Sequence, residues 1–264
     1  MESVKTLCNC LSLVSIMRGK VAMNKISLIL LLIFSGSVFS SGNTKNDSFS
    51  KAKKMLEKKV YSQLERKTIY CAATFDERKF IVNENGFSSN KYKKRAKKIE
   101  WEHVVPAENF GRSFAEWREG NKECVTRKGK SFKGRNCASK MNKEYRYMQA
   151  DMYNLYPAIG AVNALRSNYR YSAVANGYGL GGCEIIISSK EKRVTPPDIS
   201  KGIVARVSLY FDETYGRYNL SDSQRKLFEI WDRKFSVTNA ECKRNKIIEG
   251  LQGNVNFVLK ERCK

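Results

Sequence analysis

Apolar side chains at Ala52, Met55, Leu56, Val60 and Leu64 recur at helical spacing among lysines, which predicts a helix over residues 50–67. Two short runs of β-branched and aromatic residues follow, TIYCAATF at 68–75 and KFIV at 79–82, and Asn85-Gly86 marks a turn. PAIGAVNALR (157–166) reads as a short helix with Pro157 in its first turn, where a missing N–H costs no hydrogen bond. CEIIIS (183–188) is strand-like, and Pro196-Pro197 ends that section. The last third is helical. SLYFDETYG closes one helix at Gly216, while Ser221 with Gln224 and Thr238 with Glu241 have the spacing of capping boxes opening two more. Residues 118–147 are polar, rich in Gly and Lys, and read as an excursion pinned by Cys124 and Cys137. No internal repeat is visible. The pattern predicts an α+β fold, a single mixed domain over residues 51–264 that is helix-rich at its C-terminal end.

The beginning of the chain reads differently. ISLILLLIF (26–34) is uncharged, follows Lys25 and precedes the small residues Ser35, Gly36, Ser37, Ser40 and Ser41. A basic start, a short apolar run and a small-residue exit describe a secretory signal peptide. The run is too short to span a bilayer comfortably, so stable membrane insertion is not expected. An interfacial anchor is the other reading of this run. Residues 1–40 are thus read as a leader, with Met23 where a signal peptide would naturally begin, and SGNTKNDSFS (41–50) as a disordered start. Six cysteines remain beyond the leader, an even count that reads as three disulfides in an exported chain.

Composition sharpens this picture at two points. Lys and Arg number 49 against 26 Asp and Glu, a net charge of +23, and only four of the basic residues lie in the leader. That balance suits a polyanionic partner such as nucleic acid and argues against an enzyme for small cationic substrates. The chain also has a single histidine, His103, which excludes multi-histidine metal sites. His103 follows Trp101-Glu102 and a run of six cations in eight residues, Lys91, Lys93, Lys94, Arg95, Lys97 and Lys98.

Phosphodiester hydrolysis needs a nucleophile, a base to take its proton, and positive charge on the phosphate. A neutral imidazole suits the base, and Glu102 offers a hard oxygen to Mg²⁺, which prefers carboxylates, amide carbonyls and waters. Neighbours on a strand face opposite ways, so the backbone must leave the strand near 102–103 if both act on one phosphate. A surface or core histidine is the plain alternative. In ADMYNLYPAIGAVNALRSNYRYS (150–172), Asn163 and Arg166 share a helix face at i, i+3, and Asn154 falls in a loop before Pro157. Asn163 could add an amide oxygen to a metal site, Arg166 could clamp a phosphate, and Asn154 could hold the imidazole by its other nitrogen. Caps and turns are the alternative role for both asparagines, and core packing the alternative to base stacking for Tyr169 and Tyr171. The basic run, with Lys94, Arg95, Lys97 and Lys98 at its centre, would bind phosphates without reading sequence.

WEHVVPAENFG (101–111), ADMYNLYPAIGAVNALRSNY, PPDISKGIVARVSLYF (196–211) and the EC…IEGLQGNVNFV…C ending resemble the bacterial endonuclease I family of periplasmic and secreted non-specific nucleases. The likeness covers roughly residues 50–264. It implies a ββα-metal (His-Me finger) motif, one divalent cation, normally Mg²⁺ with Mn²⁺ or Ca²⁺ as substitutes, and cleavage of DNA and often RNA to 5′-phosphate ends. By resemblance His103 is the general base, Glu102 and Asn163 the metal ligands, and Asn154 the asparagine beside the histidine. A phosphate-contacting arginine is expected before a cysteine. Arg135 is the first choice, with Arg127 and Lys122 as alternatives. Gln149 stands where many members have Glu, and Ala72-Ala73 stand where many carry a further cysteine. The resemblance implies Cys71–Cys183 and Cys242–Cys263, which leaves Cys124 with Cys137. The expectation is a monomeric, exported nuclease acting on DNA and RNA. The competing readings are a non-catalytic basic nucleic-acid binder on the same fold and an enzyme mainly of RNA.

Overall fold

The computed structural model describes residues 42–263, so the leader and its start at Met23 lie outside the described residues. Residues 42–50 are not the disordered start expected of them. Asn43 and Asn46 are buried, Asn43 Nδ2 donates to the carbonyls of Asn46 and Tyr147, and its N–H donates to the Tyr215 hydroxyl. Ser48 then caps a helix over Phe49–Met55, its hydroxyl accepting from the Lys51 N–H. The helix widens into a π-helical turn at Leu56–Val60 and stops, seven residues short of the expected end.

Of the run 68–75, only Thr74–Phe75 is strand, paired antiparallel with Ile81–Asn83. Thr68 diverts the rest into a turn. Its hydroxyl and carbonyl accept the N–H groups of Ala73 and Ala72, and Ala72 sits at φ 50°. The central unit is Ile99–His103 against Leu155–Ile159, antiparallel in register from Ile99↔Ile159 to His103↔Leu155, followed at once by the helix Gly160–Arg166. Pro157 is therefore a strand residue and not the first turn of a helix. Its carbonyl accepts from the Ile69 N–H, away from the partner strand, so the absent Pro157 N–H interrupts no ladder bond. Gly160 is required where helix and strand meet: a Cβ there would lie 2.7 Å from the Arg95 carbonyl oxygen and 2.8 Å from Glu100 Oε1.

A third sheet, of four strands, follows in the order Arg170–Tyr171, Arg193–Thr195, Cys183–Ser188, Tyr178–Leu180; the first pair is parallel and the others antiparallel. Three helices, Asp198–Thr214, Asp222–Lys234 and Asn239–Gln252, close the domain. The first runs through the core, burying Val204, Ala205, Val207, Leu209, Tyr210 and Phe211. Ser221 and Thr238 cap the other two by accepting from the Gln224 and Glu241 N–H groups. Glu241 does not complete its capping box. Its carboxylate goes to the buried Arg206, two hydrogen bonds of 2.7 Å. Three disulfides staple the chain, Cys71–Cys183, Cys124–Cys137 and Cys242–Cys263. The fold is a mixed α+β domain, and no helix among the described residues is long and apolar enough to cross a membrane.

Candidate active site

The strand Ile99–His103 ends at its histidine, and Val104 and Val105 turn the chain into the short helix Ala107–Gly111. Asn154 holds that turn. Its Oδ1 accepts from the Val105 N–H at 2.7 Å, its Nδ2 donates to the Val105 carbonyl at 2.9 Å, and its own carbonyl accepts from Val104. Asn154 thus does not hold the imidazole. Both ends of its amide are spent on the backbone, and the ring takes another partner, the Gln149 carbonyl, 2.9 Å from His103 Nε2. A carbonyl oxygen only accepts, so Nε2 carries the proton and Nδ1 keeps its lone pair. The ring lies 5.0 Å from that of Phe49 and is 6% exposed. Burial first, then the charge of Arg135, pushes its pKa down to about 3, and the Gln149 bond opposes this. Burial thus favours the neutral ring around neutral pH.

Glu102, 2% exposed, is held through one oxygen: Oε1 accepts from the Tyr70 hydroxyl at 2.9 Å and lies 3.0 Å from Arg166 Nη1. Burial pushes its pKa up, and Arg166 and then Tyr70 oppose the shift. Arg166 is 1% exposed, donates to the His103 and Val104 carbonyls at 3.1 and 2.6 Å, and covers the Tyr171 ring. It lines the cleft with His103, but its guanidinium is bonded to Glu102 and to the turn after His103 and is not held free for a phosphate as the helix face suggested. Asn163 Nδ2 donates to Glu100 Oε2 at 2.8 Å. Among the described residues no protein donor reaches Asn163 Oδ1 or Glu102 Oε2, and both side chains line one open cleft of about 800 Å³ together with His103.

Residues 41–262 match the endonuclease I family. It is 36% identical over 245 residues to an Endonuclease-1 of Buchnera aphidicola subsp. Baizongia pistaciae, covering 89% of this chain and 93% of that one. It is 41% identical to an extracellular deoxyribonuclease and 42% to a periplasmic deoxyribonuclease of Aeromonas hydrophila, each over 68% of this chain and 73% and 70% of theirs. The chain belongs to the endonuclease I family. With that membership it is a hydrolase of the nuclease class.

In this endonuclease I family member, the other candidate cations divide. Arg135 lines the cleft with His103, at the start of the helix Arg135–Met141 that Cys124–Cys137 anchors; Arg127 and Lys122 do not reach it. Of the basic run only Arg95 lines the cleft, and it is paired bidentately with Glu100 at 2.7 and 2.5 Å. Lys94, Lys97 and Lys98 are exposed outside it, Lys98 over the Phe80 ring. Tyr171 is core, its hydroxyl bonded to that of Tyr70.

Four further residues contribute to the site. Glu100 was open to discovery, since strand period two sets it on the face of Glu102. Lys53 and Lys54 reach the cleft from the first helix, a long-range placement that a local pattern does not carry. Gln149 acts through its backbone, which no side-chain motif reveals.

Proposed function

We propose that this chain is an exported, divalent-cation-dependent, non-specific endonuclease that hydrolyses DNA and RNA to 5′-phosphate ends, with His103 as general base. The observation that carries this reading is the Gln149 carbonyl on Nε2, which leaves a neutral Nδ1 in a cleft shared with Glu102, Asn163 and Arg135. The succession of Ile99–His103, Leu155–Ile159 and Gly160–Arg166, two antiparallel strands and a helix, supports a ββα-metal motif.

His103 Nδ1 takes a proton from water as the water oxygen bonds to phosphorus; the P–O3′ bond breaks and the leaving oxygen acquires a proton from solvent. Arg135 stabilises the charge that gathers on the non-bridging oxygens. Glu102 Oε2 and Asn163 Oδ1 fit a hard divalent cation, because they are two oxygens without protein donors, with open space for the waters such an ion retains. Among the described residues no cluster of three acidic, His or Cys groups offers a fuller protein cage. When bound, the ion supplies Lewis-acid stabilisation of the phosphate and leaving oxygen. Tyr70 and Arg166 keep Glu102 in place. The three disulfides suit an oxidising compartment, as do relatives named extracellular and periplasmic.

The test is plasmid nicking and RNA degradation by residues 41–264, oxidised, with Mg²⁺ or EDTA, for wild type, His103→Ala and Glu102→Ala, beside a binding assay. Metal-dependent cleavage lost in both variants while binding persists is the expected result. Binding without cleavage in any metal would overturn the enzyme reading in favour of a basic nucleic-acid binder.

A further inference from the structure

Two smaller clefts flank the site, and their charges differ. One shares Glu57, Lys79 and Trp101 with the catalytic cleft and sets Glu57, Asp76 and Glu77 against Lys58, Arg66 and Lys79. Two of those cations are ion-paired, Lys79 with Glu57 at 2.9 Å and Arg66 with Glu77 at 3.0 Å. The other, about 540 Å³, shares Glu108 and Asn168 with the catalytic cleft and sets Arg112, Arg170, Lys192 and Arg193 against Glu108 and Glu191. Here Glu108 is occupied by Arg112 and by Asn168 Nδ2 at 2.7 Å. Arg170, Lys192 and Arg193 have no ion-pair partner among the described residues.

Arg170 and Arg193 are register partners on adjacent parallel strands, exposed on one face of the sheet while the next pair, Tyr171 and Val194, is buried. Like charges set side by side on a sheet destabilise it unless an anion lies between them. Lys192 adds a third cation from a turn at φ 52°, where a side-chain-bearing residue is uncommon. The Arg170 N–H donates to the Lys192 carbonyl, which fixes the turn against the strand. Three unpaired cations, fixed by backbone pairing and open to solvent beside the catalytic cleft, suit an extended polyanion whose next charges lie a few ångströms from the reacting one.

We propose that Arg170, Lys192 and Arg193 form a second phosphate site, which holds the backbone of the substrate strand beyond the scissile phosphate. The strand leaves the catalytic cleft over Asn168 and not past Glu57, where the carboxylates balance the cations. This rests on the nuclease reading of the catalytic cleft and adds the direction of the bound strand.

The test uses the catalytically disabled His103→Ala protein and fluorescein-labelled single-stranded oligodeoxynucleotides of increasing length, titrated over a KCl series. In this background Arg170→Gln/Arg193→Gln is expected to reduce the slope of log K against log[salt] by about 1.4 for long oligonucleotides, two phosphate contacts at roughly 0.7 each. It should also erase most of the affinity gained with length. Glu191→Lys, which adds a cation to the same cleft, should tighten binding, an outcome that misfolding cannot imitate. Lys58→Gln/Arg66→Gln in the balanced cleft should leave slope and affinity as they are. An unchanged slope in the double arginine variant, or equal losses from the Lys58/Arg66 control, would overturn the proposal while plasmid cleavage by wild type leaves the nuclease reading standing. Failure of wild type to cleave, with no binding by His103→Ala, would overturn both.

Discussion

Two buried arginine–glutamate pairs stand in this domain and are finished differently. Arg206, in the C-terminal helices, gives Nε and Nη2 to the two oxygens of Glu241, with Asp232 and the Phe235 carbonyl on Nη1. Arg262 also reaches Asp232, so two arginines meet two carboxylates. That cluster is closed. At the candidate site Arg166 meets only Oε1 of Glu102, spends its other bonds on carbonyls, and leaves its buried Nε without a partner among the described residues. The second carboxylate oxygen lies on an open cleft. A buried ion pair brings little net stability but fixes geometry, and breaking one by removing a partner is costly. The closed pair therefore belongs to the fold. The open pair keeps a carboxylate oriented and incompletely satisfied, which suits the cation site proposed above.

The strongest way to break this comparison is to neutralise each acid. Glu241→Gln should lower the free energy of unfolding by about 3–5 kcal/mol, measured by urea denaturation, with folded protein still active. Glu102→Gln also leaves a buried arginine without its counter-charge and should cost a comparable amount, but in addition it should reduce plasmid nicking by the folded fraction at least about a hundredfold, the scale of losing a group that acts on developing charge. Equal activity of the two folded variants would remove the distinction between fold and site. Disulfides offer the next contrast. Cys124–Cys137 and Cys242–Cys263 close loops of 13 and 21 residues, each worth about 3 kcal/mol by loop entropy. Replacing either pair by alanines should destabilise alike, but only loss of Cys124–Cys137 should lower kcat of the folded fraction, because Arg135 lies two residues from Cys137. Smaller again is Tyr70→Phe, which removes a hydroxyl donated to a buried carboxylate. A loss of about 1.5–3 kcal/mol is expected, with cleavage reduced but retained. Complete inactivation would mean that Tyr70 does more than hold Glu102.

The parts of the fold legible in the sequence were those with local causes. Ser221 and Thr238 cap their helices because a hydroxyl accepts from an N–H three residues on. His103 and Glu102 stand out as candidates because the chain has one histidine and it sits beside a carboxylate, and the resemblance to endonuclease I points to the same pair. Long-range pairing was not legible. Pro157 looks like a helix opener until Leu155–Ile159 is set against Ile99–His103, more than fifty residues away. Asn43 looks like tail until Tyr147 and Tyr215, 104 and 172 residues distant, accept its hydrogen bonds. Asn154 and Arg166 carried the right chemistry for substrate or ring contacts. Their bonds go instead to the backbone of the turn at 103–105, which only the folded chain brings within reach.

The same contrast can be tested through protons. His103 has its folded pKa near 3 against about 6.5 unfolded, with burial the main cause. Above pH 6.5 the ring is neutral in both states and adds no slope. Between 6.5 and about 3 the unfolded chain binds a proton that the native ring refuses, so stability falls as pH falls, by at most about 1.4 kcal/mol per pH unit. Asp151 runs the other way. Burial raises its pKa against the pull of Tyr215, Gln252 and Tyr210, so the native state takes up a proton before the unfolded chain does, and stability is lost as pH rises through that window. Thermal melts of wild type, His103→Gln and Asp151→Asn between pH 4 and 7 separate the two. The histidine variant should show the shallower acid decline and the aspartate variant the steeper. Identical acid slopes for wild type and His103→Gln would mean that the ring protonates in the folded protein, and a base charged in that way could not take a proton from water at mildly acidic pH.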